Sequence, residues 1–355
     1  MAEFGVYVHI PFCRSRCDYC AFATWTDRGH LVDAYVDAVV TDIRRAVADG
    51  MPAADTVFFG GGTPTLIDPA LIARTIEAIP LSMDAEITVE CNPDDVTPEL
   101  MRTYATAGVN RVSIGVQSMV THVLSVLGRH HDQSNVEIAV ECARSAGIER
   151  VNLDLIYGSV GESLDDWRTT VTAALALRPT HVSAYGLTVE AGTPLAEDPA
   201  RHPDDDEQAD KYIAADDLLT GAGLVNYEIS NWALPGHECR HNMVYWDQGN
   251  YRGFGCAAHS HDSGHRWWNV RTPDRYIDLV AAGESVMAAD EHLEPSVREF
   301  ERLELSLRTR RGVPASTLDT ESGVLDGLVE VTDGRAVLTR NGRLLANEIS
   351  TRLNP

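Results

Sequence analysis

Cys13, Cys17 and Cys20 stand at the spacing CxxxCxxC, directly after the apolar run Val6–Ile10 and the breaker Pro11. Three thiolates on one loop can take three corners of an iron-sulfur cube. The fourth iron then lacks a protein ligand and is open to a small molecule, to which it can pass an electron. A structural zinc site or a set of buried free thiols would use the same residues. Zinc, however, takes four ligands, usually from paired knuckles, and no second pair follows. The other cysteines, Cys91, Cys142, Cys239 and Cys256, have no ligand-like spacing; small buried thiols are common.

Gly60-Gly61-Gly62-Thr63-Pro64-Thr65 holds more glycine than a turn requires, and missing Cβ atoms let backbone approach a ligand closely. Glu90, Gln117 and Asp154 each end or lie near the end of an apolar run. Singly, such residues are as often helix caps; together they would converge on one mouth. A second constellation is His241-Asn242-Met243-Val244-Tyr245-Trp246. Its imidazole can ligate haem iron while the aromatic rings cover a macrocycle, or it can be a packed histidine beside a core aromatic pair. His237-Glu238-Cys239-Arg240-His241 as a local metal site, and His130 and His131 as catalytic groups, are weaker readings of the same polar density.

The elements that would position these residues follow from hydrophobic period. Strands are expected at Val6–Ile10, Thr56–Phe59, Glu86–Glu90, Arg111–Val116, Arg150–Ile156 and His181–Tyr185. Helices are expected between them at 31–48, 69–79, 97–107, 133–146 and 164–177, with Thr97-Pro98-Glu99 as a start signal and Gly108 and Gly147 as stops. A βαβα alternation makes the fold class α/β, a barrel or an open doubly wound sheet. Three regions are expected: a barrel over residues 1–230, a Gly- and aromatic-rich connecting region over 231–290, and a small α+β unit over 291–355. In the last, a helical segment from Glu294, a hairpin turning at Asp333-Gly334 and a final helix over 342–352 resemble a winged-helix module.

At 355 residues with a net charge of −24, the chain is large enough for a full core and would repel phosphate backbones and anionic lipid. Nucleic-acid partners are therefore not expected. The odd number of unevenly spaced cysteines points to a reducing, cytoplasmic setting rather than a disulfide framework. No signal-like start and no long apolar stretch suggests a membrane span.

His9-Ile10-Pro11-Phe12-Cys13 through Cys20-Ala21-Phe22 resembles the radical SAM superfamily, and within it the coproporphyrinogen oxidase-like branch, over nearly the whole chain. That resemblance implies a partial (β/α)6 barrel with a 4Fe-4S cluster on Cys13, Cys17 and Cys20 at the strands' C-terminal mouth. S-adenosylmethionine (SAM) would ligate the open iron. Matched motif to motif, Tyr7, Gly61, Gly62, Thr63, Glu90, Gln117, Arg129 and Asp154 correspond to the family's SAM-contacting positions. The HNxxYW segment is similar to the mark of the haem-chaperone branch, which implies haem held by His241, Tyr245 and Trp246, with His241 on the iron, and transfer to an apo-haemoprotein fed by an electron donor. The oxidase branch instead has a fourth cysteine where Phe22 stands here. An oxygen-independent coproporphyrinogen III oxidase, acting through a 5′-deoxyadenosyl radical, is the alternative the resemblance leaves open.

Overall fold

The computed structural model describes residues 3–129, 131–319 and 323–354. Strands β1 (Phe4–Ile10), β2 (Ala54–Gly61), β3 (Leu81–Cys91), β4 (Arg111–Gln117), β5 (Arg150–Tyr157) and β6 (His181–Gly186) pair side by side in chain order, all parallel. Each expected strand is present and somewhat longer than its apolar run. Helices α1 (Val32–Ala48), α2 (Pro69–Glu77), α3 (Pro98–Thr106), α5 (Gln133–Ser145) and α6 (Leu164–Ala176) supply the crossovers, with a short α4 (Thr121–Val126) that hydrophobic period does not reveal. The Thr97 start signal works as written, and three further caps join it. Asp68, Thr97, Asp132 and Ser163 each accept a hydrogen bond from a first-turn backbone N–H, the last two in capping boxes.

Alternation along the strands separates two layers. Val6, Val8 and Ile10, Val57 and Phe59, Ile87 and Val89, Val112 and Ile114, and Leu153 and Leu155 are buried in the main core cluster, which also takes in Tyr35, Val39, Ile43, Tyr104, Val140 and Trp167 from the helices. The alternate positions, among them Tyr7, Phe58, Glu90, Ser113, Asn152, Asp154, Ser183 and Tyr185, line a cavity on the concave face. A polar inner layer inside an apolar shell is what turns this sheet from a packed core into a site.

After α7 (Asp205–Gly221), the hairpin β7 (Val225–Glu228) and β8 (Asn231–Ala233) runs antiparallel against β6. The chain then passes through α8 (Arg240–Trp246) to the opposite flank, where β9 (Asn250–Phe254) pairs with β1 in parallel. The antiparallel strands β10 (His259–Asp262), β11 (His265–Asn269) and β12 (Met287–His292) extend that side, with α9 (Pro273–Ala282) between the last two. One twelve-stranded sheet results, ordered β12-β11-β10-β9-β1-β2-β3-β4-β5-β6-β8-β7, and β1 does not pair with β6. Residues 231–290 thus add strands to both flanks of the barrel sheet, and position 230 lies in the β7–β8 turn. Among the described residues no helix is long and apolar enough to cross a membrane.

The C-terminal unit has its own core, in which Leu303 and Leu307 of α10 (Pro295–Leu307) meet Val313, Ala336, Leu338 and Ile349. Its sheet is β13 (Val313–Pro314), β15 (Arg335–Leu338) and β14 (Val329–Thr332), in that spatial order and antiparallel, with the expected hairpin turning at Asp333-Gly334. The expected final helix is two short ones, α11 (Arg340–Leu344) and α12 (Ala346–Ser350). Gly342 lies so close to the Leu328 carbonyl that a Cβ there would stand 1.9 Å from its oxygen.

Candidate functional site

Cys13, Cys17 and Cys20 are half-buried on the loop after β1 and face one cavity of about 490 Å3 at the C-terminal ends of the strands. Backbone pairing fixes the loop at both ends. Cys13 N donates to Trp25 O at 3.1 Å and Trp25 N to Pro11 O at 2.8 Å. His9 Nε2 meets Ala23 O at 2.8 Å, so it carries the proton, and Nδ1 is left to accept from the Tyr7 hydroxyl at 3.0 Å. Burial keeps that imidazole neutral, at about 4.

The glycine run is shaped by the protein as much as by any ligand. Gly61 is in the left-handed region (φ +106°), and a Cβ there would stand 2.3 Å from the His9 ring. At Gly62 a Cβ would stand 2.7 Å from the carbonyl oxygens of Ile10 and Phe12, which accept from Gly62 N (2.7 Å) and Thr63 N (2.8 Å). The glycines therefore press β2 against the root of the cysteine loop. Thr63 then places its hydroxyl 3.7 Å from Cys13 Sγ.

Arg129 follows α4 and folds back over the mouth. Its guanidinium donates to Asn92 Oδ1 (2.9 Å) and Gly115 O (3.1 Å) and reaches 3.9 Å from Cys17 Sγ. Gln117 ends β4 beyond a register shift with φ +63°, a conformation few non-glycine residues adopt, and also lines the mouth.

Glu90 and Asp154 line both this cavity and a deeper one of about 220 Å3. Gly61 N donates to Glu90 Oε2 at 3.1 Å. Asp154 accepts from Ser113 Oγ at 2.6 Å and Asn152 Nδ2 at 2.8 Å. Burial, then the neighbouring Asp154 charge, lifts Glu90 to about 8; burial also raises Asp154, against its hydrogen bonds.

The floor of the deeper cavity is α8. His241 and Tyr245 reach it, together with Cys239 and Asn242, whereas Trp246 is half-buried and outside the lining. His241 is 1% exposed. Its Nδ1 meets Thr56 Oγ1 and its Nε2 the Tyr245 hydroxyl, both at 2.8 Å, and Phe58 stacks on the ring. Burial lowers it to about 3, so it is a neutral imidazole. Glu86, itself buried, accepts from the His241 backbone N–H at 3.3 Å and fixes the start of the helix.

Two further sequence readings separate in space. Glu238 pairs with Arg310 while Cys239 and His241 face inward, so the 237–241 segment gathers no ligand set. His131 is buried with Nε2 at 2.8 Å from Val116 O, a structural contact; His130 lies outside the described residues.

The Radical SAM superfamily pattern matches residues 7–174. The chain is 40% identical over 364 residues to a Mycobacterium tuberculosis protein named heme chaperone HemW, spanning 98% of this chain and 93% of the relative. The chain belongs to the HemW family of radical SAM proteins. A Bacillus subtilis HemW is 34% identical over 97% of both chains. Among solved structures, the coproporphyrinogen III oxidase HemN of Escherichia coli superposes with a TM-score of 0.84 over 99% of this chain and 89% of its own, at 23% identity, which establishes the shared fold.

Radical SAM membership implies a 4Fe-4S cluster and SAM. The chemistry of the donors fits. The three thiols of one loop face a single cavity, two hydrogen-bond donors are aimed at their sulfurs, and Phe22 stands at the rim. Motif reading found the thiols, Gly61, Gly62, Thr63, Glu90, Gln117, Arg129 and Asp154, all of which line the mouth; Tyr7 lines only the deeper cavity. It missed Asn92, which holds Arg129, Ser113 and Asn152, which hold Asp154, and Thr56, which holds His241. The available signal was polar residues at alternate positions of otherwise apolar strands, as in Val112-Ser113-Ile114 and Val151-Asn152-Leu153-Asp154.

Proposed function

We propose that this chain is a haem chaperone of the radical SAM family, which holds haem in the cytoplasm and passes it to an apo-haemoprotein. The observation that carries the reading is the near full-length identity with proteins named heme chaperone HemW. Phe22 in place of the oxidase branch's fourth cysteine agrees with it.

Cys13, Cys17 and Cys20 would hold the cluster, and Tyr7, Gly61, Gly62, Thr63, Glu90, Gln117, Arg129 and Asp154 would receive SAM above it. When bound, the pair supplies a reducible iron with a ligand position completed by SAM. The protein's part is to hold that geometry: Thr63 and Arg129 donate toward the sulfurs, and Asn92 fixes Arg129. An electron donor and an apo-haemoprotein recipient would be its partners.

Haem is the cargo, with His241 as the proposed iron ligand and Tyr245 and Trp246 beside the macrocycle. If Nδ1–H donates to Thr56 Oγ1, Nε2 presents its lone pair, and the Tyr245 hydroxyl must leave it before iron can bind. The deeper cavity, about 220 Å3, is below the roughly 300–1,000 Å3 of sites that enclose drug-sized ligands, so haem uptake requires its lining to rearrange.

The test is one preparation in two assays. Anaerobic protein carrying its cluster should bind haem with a Soret band that His241→Ala removes or shifts, and should leave coproporphyrinogen III unchanged in the presence of SAM and reductant. Decarboxylation of coproporphyrinogen III, with haem binding indifferent to His241→Ala and Cys239→Ala, replaces this reading with the oxidase.

A further inference from the structure

We propose that His265, Asp290 and His292 form a surface site for a divalent transition-metal ion, remote from the cysteine loop and independent of the haem reading.

The three residues lie on the outer strands of the sheet. His265 and His292 are direct cross-strand partners in the β11–β12 ladder, and Asp290 is two residues from His292 on the same face. The ladder is anchored on its other side by a two-residue turn. Ser263 and Gly264, both at positive φ, join β10 to β11 as a tight hairpin requires. The ligands therefore stand on strands rather than on a loop.

The side chains converge. Asp290 Oδ2 is 2.9 Å from His265 Nε2 and 3.8 Å from His292 Nε2, and all three ligand atoms lie within 4.8 Å of one another. Ligand atoms about 2.0–2.1 Å from a tetrahedral ion stand about 3.3 Å apart, which these two distances bracket. The two imidazoles stack with centroids 4.1 Å apart and planes 7° from parallel, so holding one ion in both ring planes requires at least one ring to turn about its side-chain torsions. An ordinary hydrogen bond accounts for His265 and Asp290. It does not account for His292, which lies beyond hydrogen-bond reach and packs its ring on a second imidazole.

Neighbouring acids do not compete. Asp262, opposite His265 on β10, accepts from Asn250, and Glu291 points the other way to Arg266. Two imidazoles and one carboxylate suit Zn2+, Ni2+ or Cu2+ rather than Mg2+ or Ca2+. Three protein ligands leave one position of a tetrahedral ion to water. All six residues of β12 are exposed, and two residues after it α10 begins the C-terminal unit. A metal tie between β11 and β12 would fasten that edge strand and with it the lead into the unit.

Zn2+ titration by calorimetry of the cluster-loaded full chain, whose cysteine thiolates are already occupied, tests the proposal. Wild type should bind one Zn2+ at this site and gain thermal stability in its presence. His265→Gln with His292→Gln should weaken that binding about tenfold or more and abolish the stabilisation, with cluster content unchanged. His292 is 75% exposed in its side chain and His265 30%, so the double variant is expected to fold, which circular dichroism verifies. Asp290→Asn, a smaller change, should weaken binding in the same direction. Zn2+ binding and stabilisation that are the same in the double variant as in wild type, or no Zn2+ binding by the wild type, overturn the site.

Discussion

The Tyr245 hydroxyl meets His241 Nε2 at 2.8 Å, one helical turn further along α8. Two residues that the HNxxYW motif brings forward as partners of a macrocycle are in this conformation partners of each other. The imidazole is saturated, with Thr56 on its other nitrogen. Whatever ligand His241 takes must displace an internal hydrogen bond.

That competition sets the sign of the first prediction. A neutral hydrogen bond contributes about 0.5–1.5 kcal/mol net, so Tyr245→Phe should raise haem affinity by about two- to tenfold without changing the ligation type. Thr56→Val, which frees the tautomer at Nδ1, should broaden or shift the Soret band. Haem titration followed by absorbance reads both. Weaker haem binding in Tyr245→Phe would mean that the hydroxyl contacts the cargo rather than guarding its ligand.

Anaerobic reconstitution should give about four irons and four sulfides per chain, because three thiolates and one SAM complete a single cubane. Replacing Cys13, Cys17 and Cys20 by Ala should abolish both counts, whereas Cys91→Ala should not, since Cys91 is buried on β3 with its thiol against Val89 O at 3.5 Å. A preparation made without oxygen that carries one zinc and no sulfide would refute the cluster.

Glu90 gives a pH signature. Burial and the Asp154 charge raise it from 4.5 to about 8. A raised carboxyl contributes its stability below the unfolded value and loses it as pH climbs through the folded one. Wild type without cofactors should therefore lose stability relative to Glu90→Gln from about pH 4.5 to about pH 8 and level off above that, read as the difference in melting temperature at each pH. Equal slopes for the two proteins would show that Glu90 is already ionised at neutral pH.

Much of this architecture was legible in the chain because its parallel strands are buried on one face under helices, which turns each into a β-branched run such as Arg111–Val116 with a capped helix to follow. The flanking strands were not. Asn250–Phe254, His259–Asp262 and His265–Asn269 are short and rich in His, Trp and Asn, and their stability comes from pairing with β1 and with each other rather than from a pattern of their own. The route of α8 beneath the barrel follows from β8 and β9 lying on opposite flanks, a fact of topology that no local window contains. For the same reason Arg129 could be matched by motif while its physical role, bridging Asn92, Gly115 and the Cys17 sulfur, waited for the fold.

The glycine run offers the last prediction, and here the structure changes what a substitution can mean. Loss of SAM binding in a Gly62 variant would suggest a ligand contact if the missing Cβ faced only the cavity. A Cβ at Gly62 instead meets the Ile10 and Phe12 carbonyl oxygens at 2.7 Å, the acceptors that hold β2 to the root of the cysteine loop. Gly62→Ala should therefore lower cluster content and SAM binding together. Thr63→Val separates the two effects, because it keeps the backbone and removes only the hydroxyl 3.7 Å from Cys13 Sγ. Hydrogen bonds to cluster sulfurs raise the reduction potential, so Thr63→Val should retain full iron and sulfide while its potential falls. Iron analysis with potentiometric electron paramagnetic resonance measures both quantities. A Gly62→Ala protein with full cluster but no SAM binding would return the glycines to a purely ligand-facing role.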